Sequence, residues 1–237
     1  VFSVKCYQLP EESSRTAKGT AIVNVIPVDL RDDITAMVAI DKFRPGHYLV
    51  MASRKGVVKK TPLEAFANIR RSGVIAINLR DEDHLVSAQY VSDENEIVLV
   101  SQAGMANRFK IGDLRTASRS SGGVRGLRVS GDEIVGMDRV AIDDYLLSVS
   151  EKGYGKLTRV TSVPVHKRGG KGLRVHRVGF ETGKLAVARL VPPQGSLVLL
   201  SSAANIVVIP LEQVSVQSRN ARGVKLMALE EGETVMS

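Results

Sequence analysis

The sequence predicts an all-β fold, a propeller-like array of four-stranded blades with about fifty residues per blade. Related segments recur along the 237 residues at steps close to fifty, and such a period is typical of repeat architectures. Each unit also contains four short β-branched or apolar runs separated by turns, and no window shows a convincing helical period. A parallel β-helix fits less well, because its rungs are shorter than this repeat.

The first recurring signature is a basic residue or pair, then a glycine, then an apolar run. Its five copies are RTAKGTAIVNV, RRSGVIAINL, RSSGGVRGLRV, KRGGKGLRVHRV and RNARGVKLMAL. The steps between their glycines are 54, 50, 49 and 51 residues, for Gly19, Gly73, Gly123, Gly172 and Gly223. We expect this segment to be the loop that leads into the first strand of each unit.

The second signature is a strand, a tight turn and another strand. Its copies are YLVMASRKGVVKKTPL, IVLVSQAGMANRFKI, YLLSVSEKGYGKLTRV and LVLLSSAANIVVIPL, which align on Gly56, Gly104, Gly153 and Asn205. Gly or Asn at this place predicts a turn residue with positive φ. The opening VFSVKCYQLP matches the second half of this hairpin, so we expect the chain to begin partway through a repeat.

An acidic turn follows the first strand of each unit. These turns are residues 29–33, 80–83, 131–133, 180–183 and 230–233. A strand of five or six residues is roughly 17–20 Å long, about two Debye lengths at physiological salt. We therefore expect cations along one rim of the array and anions along another.

The repeat predicts a single domain over residues 1–237. The expected blades are approximately 15–66, 67–114, 115–163 and 164–214, with partial blades at 1–14 and 215–237. The partial ends suggest either that the sequence is cut from a longer domain or that a flanking blade is missing. The segment 61–71 is at most one helical turn.

Composition indicates a soluble protein with a polyanionic partner. The 33 Lys and Arg exceed the 25 Asp and Glu by 8, which favours nucleic acid first and an anionic membrane second. Cys6 is the only cysteine, which excludes an intrachain disulfide and fits a reducing cytoplasm. No signal peptide is evident, and the most apolar stretch, 197–211, is too short to span a bilayer.

Lys and Arg recur at the same phases of the repeat, which predicts a curved basic rim suited to the phosphates of duplex DNA. The candidate DNA-binding cations of the loops are Arg15, Lys18, Arg70, Arg71, Arg119, Arg125, Lys167, Arg168, Lys171, Arg174, Arg219 and Arg222. Those of the strands are Lys59, Lys60, Arg108, Lys156 and Arg159, and Lys110 belongs to the same strand set. No recognition helix is evident, and aromatic residues make up 4% of the chain with no Trp, so contact with the DNA backbone and bending are expected rather than base reading.

The stretch HKRGGKG, residues 166–172, is the densest combination of cations and glycines. It is not a P-loop, because Gly172 is followed by Leu173 and strands flank the segment. As a DNA contact, Gly169, Gly170 and Gly172 would let the backbone approach phosphates. As an inter-blade connector, the same glycines would serve turn geometry, and both interpretations can hold together.

Two other classes of function remain as alternatives. Independent catalysis is disfavoured, because the four histidines lack metal-ligand spacing and the acidic clusters recur in every unit. We accordingly expect no cofactor and no metal. A protein-interaction propeller whose basic rim meets an acidic partner is the other alternative.

The chain resembles the C-terminal domain of bacterial DNA gyrase A, a β-pinwheel of roughly fifty-residue blades. The resemblance runs from end to end, through VFSVKCYQLPE, SRTAKGTAIVNVIPV, GGVRGLRV, VSEKGYGKLTRV, HKRGGKGL and RNARGVKLMAL. It implies that duplex DNA wraps around the basic rim and that the holoenzyme introduces negative supercoils using ATP. The implied partners are the cleavage domain of DNA gyrase A and the DNA gyrase B protein, which hold the catalytic groups, in the bacterial cytoplasm. The equivalent domain of topoisomerase IV is the rival within this interpretation.

The hallmark box of that family, a Gln followed by basic residues and glycines, lies in its first blade. This chain starts after that point, and HKRGGKG is a similar element in a later blade, with His166 or Lys167 in place of Gln. We expect DNA binding without full wrapping if the first blade is absent.

Overall fold

A computed structural model of the chain describes residues 1–11, 18–29, 33–80 and 82–236, and its regular structure there consists of strands and short 3₁₀ turns. The strands are β1 (His47–Ser53), β2 (Val57–Pro62), β3 (Leu85–Ser92), β4 (Glu96–Ser101), β5 (Met105–Lys110), β6 (Val124–Arg125), β7 (Ile134–Arg139), β8 (Tyr145–Ser150), β9 (Tyr154–Arg159), β10 (Leu173–Arg174), β11 (Leu185–Val191), β12 (Ser196–Leu200), β13 (Ile206–Pro210) and β14 (Val224–Lys225). The 3₁₀ turns are Cys6–Gln8, Ile22–Asn24, Leu63–Phe66, Ile111–Asp113, Val160–Ser162 and Leu211–Gln213. The all-β prediction is confirmed, and the helical turn expected within 61–71 is the 3₁₀ turn Leu63–Phe66.

The strands of the described residues form three four-stranded sheets and one two-stranded sheet. The strand orders are β3-β1-β2-β6, β10-β5-β4-β7, β11-β8-β9-β14 and β12-β13, and all neighbours in a sheet are antiparallel. Each four-stranded sheet has a hairpin at its centre and a later strand beside the first hairpin strand. Its other edge is a two-residue strand that follows the next hairpin in the chain.

The sheets do not coincide with contiguous repeats, which corrects the expected blade boundaries. The expected blade 115–163 holds β6, β7, β8 and β9, which lie in three different sheets. Periodicity shows which segments are equivalent, but it does not show which copies pair. Backbone hydrogen bonds therefore join neighbouring blades, because a repeat supplies one edge strand to the sheet of the preceding hairpin and a short one to the sheet of the hairpin before that.

Each hairpin turns at a residue with positive φ. The values at Gly56, Gly104 and Gly153 are 80°, 73° and 78°. A Cβ on any of the three would lie 2.3–2.4 Å from a backbone carbonyl oxygen of the segment after the adjacent edge strand, so only glycine fits. In the fourth hairpin the strand register aligns Ala204 with Gly153, and Ala204 has φ 63°. The prediction that Asn205 takes this place is wrong by one residue.

The central strands of the first three hairpins are buried on both faces, because each of these hairpins packs between two neighbouring parts of the chain. In β4, Ile97 and Leu99 pack with Val50 of the preceding hairpin. Val98, on the opposite face, packs with Leu146 of the following hairpin. This arrangement explains why these strands read as continuous apolar runs instead of alternating.

The fourth hairpin has one covered face and one open face. Leu199 packs against Leu147 of the third hairpin. The opposite face has no partner among the described residues, and it exposes Val198, Leu200, Ile206 and Val208. The opening segment at the other end of the array pairs with residue 74: Val74 N–H donates to Val1 O at 2.9 Å, and the Val1 amino group donates to Val74 O at 2.7 Å.

Candidate nucleic-acid interface

The edge strands and the loops that lead into them carry most of the predicted cations. We call these segments connectors, and they are residues 70–78, 118–128, 167–177 and 218–225. A backbone hydrogen bond at one position of the repeat joins each connector to the next. The three bonds are Asn78 N–H to Ser121 O (3.1 Å), Arg128 N–H to Gly170 O (2.8 Å) and Arg177 N–H to Ala221 O (3.1 Å). The four connectors therefore form one continuous strip across the blades, which we call the basic band.

Most of the predicted loop cations are exposed on the basic band. The exposed ones are Arg70, Arg71, Arg125, Lys167, Arg168, Lys171, Arg174 and Arg222, and the half-buried ones are Arg119 and Arg219. Lys18 is exposed but precedes the first connector, and Arg15 lies outside the described residues. The structure thus brings ten of the twelve loop cations into one strip.

Two arginines link one connector to the previous one. Arg168 Nη1 donates to Arg125 O, and Arg219 Nη1 donates to Arg174 O, each at the long distance of 3.4 Å. The donors occupy the same place in their connectors, as do the acceptors. These hydrogen bonds help to fix the position of each connector relative to its neighbour.

Sequence reasoning missed three exposed cations of the basic band: Arg128, Arg177 and Lys225. Arg177 follows Arg128 by 49 residues, and Lys225 follows Arg174 by 51. The repeat step was therefore the signal that could have found them.

The predicted strand cations Lys59 and Lys156 are not available to DNA, which corrects that part of the prediction. Their exposed fractions are 1% and 0%, because strands packed between blades have no solvent-facing side. Burial lowers the pKa of Lys59, and burial with the nearby Arg219 lowers the pKa of Lys156 to about 8.

Lys60 and Arg108 are also engaged within the protein. Lys60 Nζ is buried, forms an ion pair with Asp93 and lies 4.2 Å from the centre of the Tyr48 ring. The hydrogen bond from Lys60 holds the pKa of Asp93 below its usual value. Arg108 donates from Nε to Glu96 at 2.7 Å and from Nη1 to a backbone carbonyl at 3.0 Å.

Arg159 is exposed, but it lies at the far end of β9 from the pairing with β14. Its guanidinium lies over the Tyr145 ring at 5.5 Å. Among the predicted strand cations, the structure places none on the basic band.

The glycines of HKRGGKG differ in what they face. Gly172 has φ 72°, and a Cβ there would lie 2.5 Å from the carbonyl oxygen of Ala106. Gly169 has φ 79° and faces Arg125 O, whereas the nearest atom to a Cβ on Gly170 is 3.8 Å away. Position 172 therefore requires glycine because a side chain there would collide with β5. The space beside Gly170 is open.

The two signs of charge are less separated than expected. Arg222 of the basic band forms an ion pair with Glu181 of an acidic turn. Other acidic-turn carboxylates bind the hairpin turns: Asp83 accepts from Ser53 Oγ at 2.7 Å, and Asp132 accepts from Ala103 N–H at 3.0 Å. The edge strand inside a connector has only two residues, so the acidic turn that follows lies closer to the exposed loop cations than a full strand length would put it.

His176 is the buried histidine of this region. Its Nδ1 lies 2.8 Å from Ser148 Oγ. Burial and the charge of Lys156 lower its pKa to about 4, so the ring is neutral at physiological pH. Within the described residues, no group of three His, Cys, Asp or Glu side chains is arranged to hold a metal, and no helix is long and apolar enough to cross a membrane.

The fold and the basic band define a class: a propeller-type repeat domain whose blades exchange strands and carry a shared cationic strip. The family model described as "DNA gyrase C-terminal domain, beta-propeller" matches residues 1–41, 47–92, 95–141, 144–175 and 195–237. The chain belongs to this family, which confirms the resemblance and the propeller-type architecture.

Curated relatives and solved structures agree with this assignment. DNA gyrase A of Clostridium acetobutylicum is 39% identical over 238 residues, and that of Dehalogenimonas lykanthroporepellens is 33% identical over 244. Both alignments cover the whole chain, which spans 29–30% of the length of these relatives. A solved DNA gyrase A C-terminal domain is 26% identical with a TM-score of 0.81, covering 93% of this chain and 74% of that one. The C-terminal domain of a DNA topoisomerase IV shares the fold with a TM-score of 0.85 at 24% identity, covering 92% of this chain and 69% of the other.

Proposed function

We propose that this chain binds duplex DNA without sequence preference and bends or wraps it along the basic band, as the C-terminal domain of a DNA gyrase A protein. The continuity of the band carries the proposal. Hydrogen bonds between consecutive connectors place exposed cations from four repeats in one strip, with a spacing set by the blades. Duplex DNA is the partner whose charge is equally regular and extended.

Contact with phosphates rather than bases accounts for the type of side chain on the band. Its cations lie on turns and two-residue strands, and the described residues contain no α-helix to enter the major groove. Phosphate contacts position a protein without reading sequence. Bending a 20–30 bp site by 40–90° costs on the order of 1–6 kcal/mol, so several connectors must contribute contacts at once.

Membership of the family supports a role for this chain within a DNA gyrase holoenzyme. The cleavage domain of DNA gyrase A and the DNA gyrase B protein carry strand cleavage and ATP hydrolysis, and this chain supports negative supercoiling in the bacterial cytoplasm by holding DNA beside them. The chain itself contributes no catalytic residue. The box-like HKRGGKG element contributes Lys167, Arg168 and Lys171 to the band.

A salt titration of binding to a 40-bp random-sequence duplex tests the proposal. With about seven phosphates neutralised, log K is expected to fall with log salt at a slope of about −6. A slope shallower than about −2 would contradict the proposal and favour an acidic protein as the partner of the band. Ligation of nicked circular DNA in the presence of the chain then separates wrapping, which shifts the linking number, from binding without wrapping.

A further inference from the structure

In the first three hairpins, one position on the second strand points beneath the connector whose edge strand pairs with that strand. The hairpin registers pair this position with Met51, Leu99 and Ser148 and identify its occupants as Lys59, Asn107 and Lys156. All three side chains are buried, with exposed fractions of 1%, 1% and 0%.

Lys156 holds the connector that contains Arg219. Its Nζ donates to the backbone carbonyls of Ser218 at 2.6 Å and of Arg219 at 3.0 Å. The second carbonyl is that of Arg219 itself, whose guanidinium lies on the basic band. The buried ammonium thereby fixes the peptide units on either side of the Arg219 Cα, and with them the direction of its side chain.

Lys59 occupies the same position two repeats earlier in the chain, and it also donates to connector carbonyls. Its Nζ donates to the carbonyls of Arg119 and of Ser121, the latter at 2.8 Å. A third bond, to Ala76 O at 2.8 Å, reaches the previous connector. One side chain therefore ties two neighbouring connectors together.

Asn107 does this without a charge. Its Nδ2 donates to Lys167 O at 3.2 Å and to Gly126 O, on the previous connector, at 3.0 Å. The connector above it carries Lys167, Arg168, Lys171 and Arg174, all exposed. An ammonium beneath these four cations would add repulsion that an amide avoids.

We propose that Lys59 and Lys156, with Asn107 as their neutral counterpart, are positioning residues of the DNA interface: they hold the connector carbonyls so that Arg119, Arg219 and the cations of 167–174 face the duplex. This inference rests on the proposed function. It assigns the buried lysines a role in DNA affinity through particular arginines, in addition to any role in stability.

A double-mutant cycle on the whole 237-residue chain separates the two roles. If Lys156 acts through Arg219, then Lys156→Met and Arg219→Ala each weaken binding of the 40-bp duplex about fivefold, and the double variant is about as weak as either one, because coupled residues are not additive. The matched control pairs Lys156→Met with Arg119→Ala of a different blade. That pair is expected to be multiplicative, at about 25-fold.

Rescue by the residue that the protein itself uses is the second measurement. Lys156→Asn keeps a donor that reaches the connector, as Asn107 does, and is expected to bind within about twofold of the parent chain. This variant, together with an Asn107→Ala and Arg168→Ala cycle, also tests the inference if Lys156→Met does not fold.

The outcomes are distinct. Multiplicative losses for Lys156→Met with Arg219→Ala, or unchanged binding by a folded Lys156→Met, overturn the inference while the proposed function stands. Absence of salt-dependent binding by the parent chain overturns both.

Discussion

The connector above Asn107 and the connector above Lys156 occupy the same place in successive repeats, yet they distribute positive charge differently. Residues 167–174 hold four exposed cations over a neutral buried amide. In the connector 218–225, Arg219 is half-buried, Arg222 is paired with Glu181, and a buried ammonium lies beneath. The comparison shows that the same residue type serves two purposes: exposed lysine supplies charge to the surface, and buried lysine supplies hydrogen bonds to the backbone.

The largest effect is expected from removing the surface charge of the first of these connectors. Lys167→Ala with Arg168→Ala and Lys171→Ala is expected to reduce the salt slope by about 2.7 and to weaken duplex binding at 0.1 M salt by roughly 100- to 1,000-fold, equally for all sequences. The control removes three exposed cations outside the band, Lys42, Lys110 and Arg139, and is expected to change binding by less than about tenfold. Equal losses in the two triple variants would show that net charge, not the band, determines affinity.

Asn107 is the neutral anchor of its connector, and its contribution to stability is the second test of the comparison. Asn107→Leu removes the donor to Lys167 O and one of the two donors to Gly126 O, which still accepts from Gly169 N–H at 2.7 Å, and it is expected to lower the free energy of unfolding by about 1–3 kcal/mol. Lys156→Met is expected to cost less, because it also removes the penalty of burying a charge. Urea denaturation of both variants measures the difference, and a larger loss for Lys156→Met would contradict this account of the two anchors.

Lys156 is the charged anchor, and its burial predicts a pH dependence of stability that Asn107 does not produce. The pKa of Lys156 is about 8 in the folded chain, with Arg219 and His176 as the charged or titratable groups facing it, and about 10.4 in the unfolded chain. Between these values the unfolded chain binds more protons, so the stability of the parent relative to Lys156→Met rises as the pH rises from about 8 to about 10. Below pH 8 the difference is constant. Denaturation of both proteins from pH 7 to pH 10 measures it, and a difference that is flat throughout would contradict the burial of a titrating ammonium.

The smallest effect concerns single arginines of the two connectors. Arg174→Ala is expected to reduce the salt slope by about 0.9, the value of one phosphate contact. Arg222→Ala is expected to change it less, because the ion pair with Glu181 already occupies that guanidinium. Equal reductions would mean that the pair opens when DNA binds.

The sequence was sufficient to predict the strands, the period and most of the exposed connector cations, because repetition makes each feature visible several times. The glycine turns at Gly56, Gly104 and Gly153 followed from their need for positive φ. The exchange of edge strands could not be predicted, because equivalent strands have equivalent hydrogen-bonding groups whichever copy they pair with.

The burial of Lys59 and Lys156 could not be predicted from the sequence either. An isolated strand alternates between a core face and a solvent face, and a lysine on it is expected to be exposed. In this fold both faces of a central strand pack against neighbouring blades, and the ammonium is satisfied by carbonyls of a segment some sixty residues away. Only the shared place of Lys59, Asn107 and Lys156 in the repeat hints at a common role.

Lysine footprinting by mass spectrometry, with and without duplex DNA, tests the basic band most directly. Protection by DNA is expected at Lys167, Lys171 and Lys225, whereas Lys42 and Lys110 keep their reactivity and Lys59 and Lys156 react slowly in both states. Protection spread evenly over all exposed lysines, or confined to those outside the connectors, would contradict a single DNA-binding strip.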